Sequence, residues 1–312
     1  MKDIEVLVIG RACVDNIAVV NNFPRENQKA PFEFKVIEGG GQGSTCACCI
    51  SRLGGRIIYI GKIGDDEEGQ FCLKRLNDFG VNTKFVEIIK KGNTPVAYIF
   101  VTKDNGNRTI IYERYNLPKE EITSQLKHLI SSSKVILLDP QVTYLSKGLK
   151  SLTGKTKQIV YDCERWREGI EEMMEIADFF IPSADFLESI IENSNMNFSL
   201  SKKIFILNEK IRGNLIVTNG DDGAYYIENN ILHHVFAPKI NVRDTIGAGD
   251  NFHGAFSLAI SRGFNLHESV RFSVSVSALS CREYGGRNGI PDIELALNFS
   301  SGLKTEIMDK IE

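Results

Sequence analysis

The segment Asp244-Thr245-Ile246-Gly247-Ala248-Gly249-Asp250 sets two carboxylates on either side of a run of small residues. After Asp250 the apolar positions Phe252, Ala255, Phe256, Ala259 and Ile260 recur at helical spacing, so Gly247 to Gly249 fall at a helix N-terminus. Small residues there let backbone N–H groups approach an anion closely, and the helix dipole adds positive potential. The segment predicts a phosphate or oxyanion site. A carboxylate beside such a site can accept the proton of an attacking hydroxyl, which is the chemistry open to Asp250. Asp244, read as standing at a strand end before the turn, can act through Mg²⁺ or its waters. The bland alternative makes Asp250 a helix cap. A cap requires neither the small residues nor a second Asp six positions earlier.

Two further segments have the right residue types. Glu38 to Gly43 is a glycine-rich turn entering a Cys/Ala-rich helix, either a tight turn alone or a source of N–H donors. Thr218, Gly220 and Gly223 follow a strand and read equally as an Asp-Gly hairpin turn.

The elements that must position these residues follow from the apolar runs Ile4 to Ile9, Ile57 to Gly61, Val135 to Asp139 and Gln158 to Asp162. Each is short, rich in β-branched residues and closed by Gly or Asp, and helical patterns such as Glu67 to Phe79 lie between them. Asn214 to Gly220 continues the series. Strands alternating with helices predict a three-layer α/β sandwich with a central, mostly parallel sheet. Two stretches, about 12–37 and 94–114, lack a helix, and Lys103 to Arg108 holds an Asn-Gly hairpin signal at Asn105-Gly106. They predict a small β-sheet lid, or else an extra sheet bracing the edge. From Ala248 onward the pattern is mostly helical. With no repeat or linker, the chain reads as a single α/β domain over 1–312.

The 312 residues are 42% hydrophobic and 25% charged, with a net charge of -3. That balance gives no reason to expect nucleic acid or an anionic membrane as partner. No signal peptide or uninterrupted apolar span of ~18 residues is present, so a cytoplasmic location is expected. The seven cysteines match no zinc spacing and read as reduced, buried small hydrophobes.

Asp-Thr-x-Gly-Ala-Gly-Asp, the Gly-Gly segment after an N-terminal β layer and the late Thr-x-Gly-x-x-Gly together resemble the ribokinase, or PfkB-type, family of carbohydrate kinases. The resemblance runs from Ile4 to about Ile293. It implies a ribokinase-like fold that transfers the γ-phosphate of ATP to a hydroxyl of a small sugar, with Mg²⁺ and a monovalent cation such as K⁺. It implies Asp250 as catalytic base and Gly247, Ala248 and Gly249 as anion hole. Thr218, Gly220, Gly223, Asp244 and Thr245 fall on the ATP side, with Asp244 near the metal, direct or through water. Asp15, uninformative on its own as a turn residue after a strand, becomes a sugar ligand with Gly40, Gly41 and Thr45. The helix around Asp250, the segment Glu268 to Cys281 and the tail Gly285 to Asp292 look like the branch containing sulfofructose kinase. The loop Glu283 to Gly289 falls where relatives bind a monovalent cation and close over the nucleotide, or is a basic surface turn.

Several positions depart from the family pattern. Thr45, or Ser44 beside it, stands where Asn is common. Ser183 and Phe186 replace the Asn and Glu of an Asn-x-x-Glu motif that organises phosphate and Mg²⁺. Gly148 to Thr156 imitates a P-loop, but the spacing between its glycines is too long and it precedes a strand. His233-His234 reads as ordinary strand packing. Asp162 and Arg165, with Trp166, follow a strand's C-terminal end and are secondary candidates. Phe32, Phe34, Tyr98 and Tyr112 leave open a nucleoside kinase of the same family. A catalytically silent sugar- or nucleotide-binding regulator is the other alternative, and a homodimer through the lid stays open.

Overall fold

The computed structural model describes residues 4–104, 106–152, 157–191 and 198–310. Strand β1 (Ile4–Ile9) leads into a β layer through β2 (Cys13–Val20) and β3 (Phe34–Gly40), and the chain returns by helix α1 (Gln42–Arg52) to β4 (Ile57–Ile60). A short parallel ribbon of β5 (Lys62–Gly64) and β6 (Glu87–Ile89) flanks α2 (Glu67–Asp78). The hairpin of β7 (Val96–Thr102) and β8 (Arg108–Tyr112) forms the second excursion. Helix α3 (Ser124–Ser132), β9 (Ser133–Leu138), α4 (Ser146–Lys150), β10 (Gln158–Cys163), α5 (Ile170–Ile176), β11 (Phe179–Pro182), α6 (Ala184–Ile191), α7 (Leu200–Asn208) and β12 (Asn214–Thr218) alternate. The chain continues through β13 (Gly223–Glu228), β14 (Ile231–Phe236), α8 (Ala248–Ser261), α9 (Leu266–Ser280), α10 (Ile293–Ser301) and β15 (Thr305–Lys310).

The main sheet has nine strands in the order β4-β1-β9-β10-β11-β12-β13-β14-β15. It is parallel from β4 to β12 and antiparallel beyond. The continuous apolar runs are explained by burial on both faces. In β1, Val6 and Val8 join the core under α1, α8 and α9, whereas Leu7 and Ile9 join the core under α3, α5 and α7.

The second sheet has the order β3-β2-β7-β8, so the two excursions pair with each other through parallel β2 and β7. Its register sorts the side chains into rows. Glu38, Asp15, Ala97 and Tyr112 lie across one row, and Phe34, Val19, Val101 and Arg108 across another on the same face. Ile17, Val19, Ala97, Ile99 and Val101 of this inner face pack on Ile246, inside the glycine segment. The opposite face carries Ile37, Asn16, Tyr98 and Ile111 in one row. Strand β3 runs beyond the expected boundary at residue 37 to Gly40. Asn105 of the hairpin turn and Gly154, Lys155 and Thr156 of the P-loop-like stretch lie outside the described residues.

Candidate active site

Helices α2, α3, α7, α9 and α10 begin with a side chain that caps the first turn, namely Asp66, Thr123, Ser199, Asn265 and Asp292. Helices α1 and α8 do not. Each starts at a glycine with positive φ, Gly41 at 91° and Gly247 at 69°, and neither N-cap residue makes a side-chain cap. The short α5 also opens at such a glycine, Gly169, but it packs on the other face of the main sheet. The N-termini of α1 and α8 leave N–H groups for other acceptors. A side chain at Gly247 would meet Gly286 at 2.9 Å, and one at Gly41 would meet the Arg11 carbonyl at 2.4 Å.

The cysteines explain how the two helix starts come together. Cys46 Sγ donates to the Asp250 carbonyl at 3.2 Å and Cys49 Sγ to the Asn251 carbonyl at 3.4 Å. Gly254 of α8 lies so close to α1 that an added Cβ would be 2.8 Å from the Cys46 carbonyl. Small side chains on both helices set this close approach, and all seven thiols are free.

Asp250 occupies the first turn of α8. Burial and the charge of Asp162 push its carboxyl up to about 7, while His253 opposes the shift. Asp162, at the end of β10, is buried with Oδ2 unpartnered, and its Oδ1 is 3.5 Å from His253 Nε2. Burial also raises Asp139, to about 6. Asp139 accepts from the backbone N–H of Arg11 at 2.6 Å, Gly43 at 3.2 Å and Gln141 at 2.8 Å. It thereby ties the end of β1 to the start of α1. Its signal in the sequence was an Asp closing an apolar strand.

Asp15 projects from the inner face of the small sheet and is buried, which pushes its carboxyl up to about 6. Gly40 lies directly against it, since an added Cβ would fall 2.1 Å from Asp15 Oδ2. Thr45 is buried in the first turns of α1. The charges of Asp15, Asp139 and Asp162 all act on Asp250, so the sugar-side and base candidates share one electrostatic neighbourhood.

Asp244 is not at a strand end. It lies in irregular chain well after β14, where Oδ1 accepts from Ile246 N–H at 2.8 Å and Oδ2 from Gly285 N–H at 2.9 Å. The carboxylate thus shapes the glycine turn and anchors the tail loop. Thr245 Oγ1 accepts from Arg108 Nη1 at 2.8 Å and donates to the Gly106 carbonyl at 3.2 Å, which docks the hairpin of the small sheet on the glycine turn. Thr218 ends β12, and Gly220 and Gly223 take positive φ of 54° and 108° in the turn to β13. Arg165 is exposed and paired with Glu164 at 2.7 Å, and Trp166 packs on Phe186 at 5.8 Å between ring centres. The tail loop is not a basic surface turn: Arg287 is 1% exposed. A cavity of about 320 Å³ beside it is lined by Arg52, Arg75, Asp78, Phe79, Arg287, Asn288 and Ile290, with neither Asp250 nor the glycine turn in its wall.

A family model described as pfkB family carbohydrate kinase matches residues 3–293. The deoxyribokinase of Salmonella typhi is 26% identical over 93% of this chain and 96% of its own length. The ribokinase of Lactococcus lactis is 26% identical over 93% and 94%. The Arabidopsis thaliana ribokinase solved with ribose and ATP superposes with a TM-score of 0.80 at 20% identity, covering 96% of this chain and 99% of that one. With the matched region spanning the small sheet, the glycine turn and the main sheet up to β14, the chain belongs to the pfkB family of carbohydrate kinases.

Proposed function

We propose that this chain transfers the γ-phosphate of ATP to a hydroxyl of a small sugar or sugar derivative. The observation that carries the reading is the pairing of two helix N-termini whose N-cap glycines supply no side-chain cap, with Asp250 at one and Asp15 against the Gly40-Gly41 segment at the other. In this reading Asp15 and the start of α1 hold the sugar, Asp250 takes the proton of the attacking hydroxyl, and the amides of Gly247 to Gly249 receive the charge that develops on the phosphoryl oxygens. Thr218, Gly220 and Gly223 line the nucleotide side.

Mg²⁺ bound with the nucleotide supplies charge neutralisation at the phosphates. Among the described residues no group of three or more His, Cys, Asp or Glu is arranged to hold a metal ion by itself. A cation that arrives on ATP would keep its waters, and Asp162, whose Oδ2 has no partner among the described residues, is the carboxyl that would hold one of them. Docking of the Arg108 hairpin on Thr245 gives the small sheet the role of a lid that excludes water. Its exposed outer row, Ile37, Tyr98 and Ile111, is the face on which a second subunit would pair.

ADP release with Mg-ATP and a panel of ribose, deoxyribose, fructose, tagatose, 2-keto-3-deoxygluconate, sulfofructose, inosine and adenosine tests the reading. Turnover with a sugar supports it and names the acceptor. Turnover with nucleosides alone would replace it with the nucleoside kinase, and ATP binding without turnover would favour the silent regulator. Exchanging K⁺ for Li⁺ in the same assay reads the dependence on a monovalent cation.

A further inference from the structure

Among the described residues Arg287 is the bulkiest of the fully buried side chains, and it comes from the tail loop, far in sequence from the groups its guanidinium bonds. Its Nη2 donates to the Gly40 carbonyl at 3.0 Å and to Ser44 Oγ at 2.6 Å, and its Nε donates to Thr45 Oγ1 at 3.3 Å. The two residues before it hold the other side of the cleft. Gly285 N–H donates to Asp244, and the Gly286 carbonyl accepts from Asn251 Nδ2 at 2.8 Å while its Cα packs against Gly247. Three consecutive residues therefore span from the glycine turn to the Gly40–Thr45 segment.

We infer that Arg287 is the positioning residue that fixes the sugar segment in register with the anion hole. It rests on the assignment of Asp15 and Gly40 to Thr45 as the sugar side. A buried guanidinium needs compensation by hydrogen bonds and charge. Of the two carboxylates in its field, Glu38 is already held by the Arg75 fork at 2.6 and 2.7 Å and by Gly39 N–H at 2.8 Å. Among the described residues Asp15 accepts only from Cys13 Sγ, at 3.3 Å. The charge of Arg287 thus falls on the carboxylate that would receive a sugar hydroxyl, and it opposes the burial that favours the protonated form of Asp15.

The test compares wild type with Arg287→Met, Arg287→Lys and Ser44→Ala in steady-state kinetics, with melting temperature recorded for each. Arg287→Met should raise the sugar KM by at least about tenfold, with the ATP KM within about threefold, because it removes charge-assisted bonds on the sugar side alone. Arg287→Lys should recover part of the loss. Ser44→Ala, which leaves the arginine in place, should raise the sugar KM by a few-fold. A lowered melting temperature with both KM values unchanged would overturn the inference and leave Arg287 a packing residue. Equal rises in both KM values would overturn it as well. If wild type turns over no sugar, the proposed function fails and the inference falls with it; turnover in wild type with an unchanged sugar KM in the variants removes the inference alone.

Discussion

The two sides of the proposed site are built by different means. The proposed anion side comes from consecutive backbone, Asp244 to Asp250, shaped by one carboxylate that binds two amides and by a glycine with φ of 69°. The proposed sugar side is gathered from β2, the end of β3, the start of α1, Asp139 and the tail loop. A backbone site must be written in adjacent residues, because only small residues allow the approach; a side-chain site can draw on any segment that the fold brings near.

Substitutions should separate these two modes. Among substitutions that keep the Asp250 carboxylate, the largest effect belongs to Gly247→Val, which forces a β-branched residue into positive φ and against Gly286. Loss of the aligned donors should lower kcat by about 10²–10³, read by ADP release at saturating substrates. Asp139→Ala should act on the sugar side. Freeing three backbone N–H groups should cost about 2–4 kcal/mol in urea denaturation and raise the sugar KM more than the ATP KM.

Arg108→Ala undocks an exposed contact between lid and turn, so kcat/KM should fall only several-fold while sugar-independent ATP hydrolysis rises. Asp250→Asn should change stability with pH. The folded carboxyl sits at about 7, above the unfolded value of about 3.9, so the folded state holds the proton more tightly. Ionising Asp250 then costs stability as pH rises through that window. The variant should melt above wild type by a margin that grows from about pH 4 to about pH 7 and is level beyond. Smallest is Tyr98→Ser with Ile111→Ser on the outer lid face, which should leave the melting temperature nearly unchanged and shift sedimentation toward monomer.

The same contrast explains what was legible in the sequence. The parallel sheet showed in its apolar runs because both faces are buried, and the glycine turn showed because its conformation excludes other residues. The small sheet showed through its missing helices, although the parallel pairing of β2 with β7 is a long-range contact without a local signature. Asp139 and Arg287 were visible only as an Asp closing a strand and an Arg in a glycine loop. Neither position states what it touches until the helices α1 and α8 are packed together. The placement of Asp244 at a strand end failed for a related reason: its partners, Ile246 and Gly285, are set by the turn and the tail loop rather than by a strand.

The most direct test of the central claim pairs ATP affinity by calorimetry with sugar-dependent ADP release in wild type and Asp250→Asn. The account predicts an ATP Kd within about threefold of wild type and a kcat lower by about 10²–10⁴, since the variant keeps the anion site and loses the base. Wild-type-like ADP release from Asp250→Asn would contradict it.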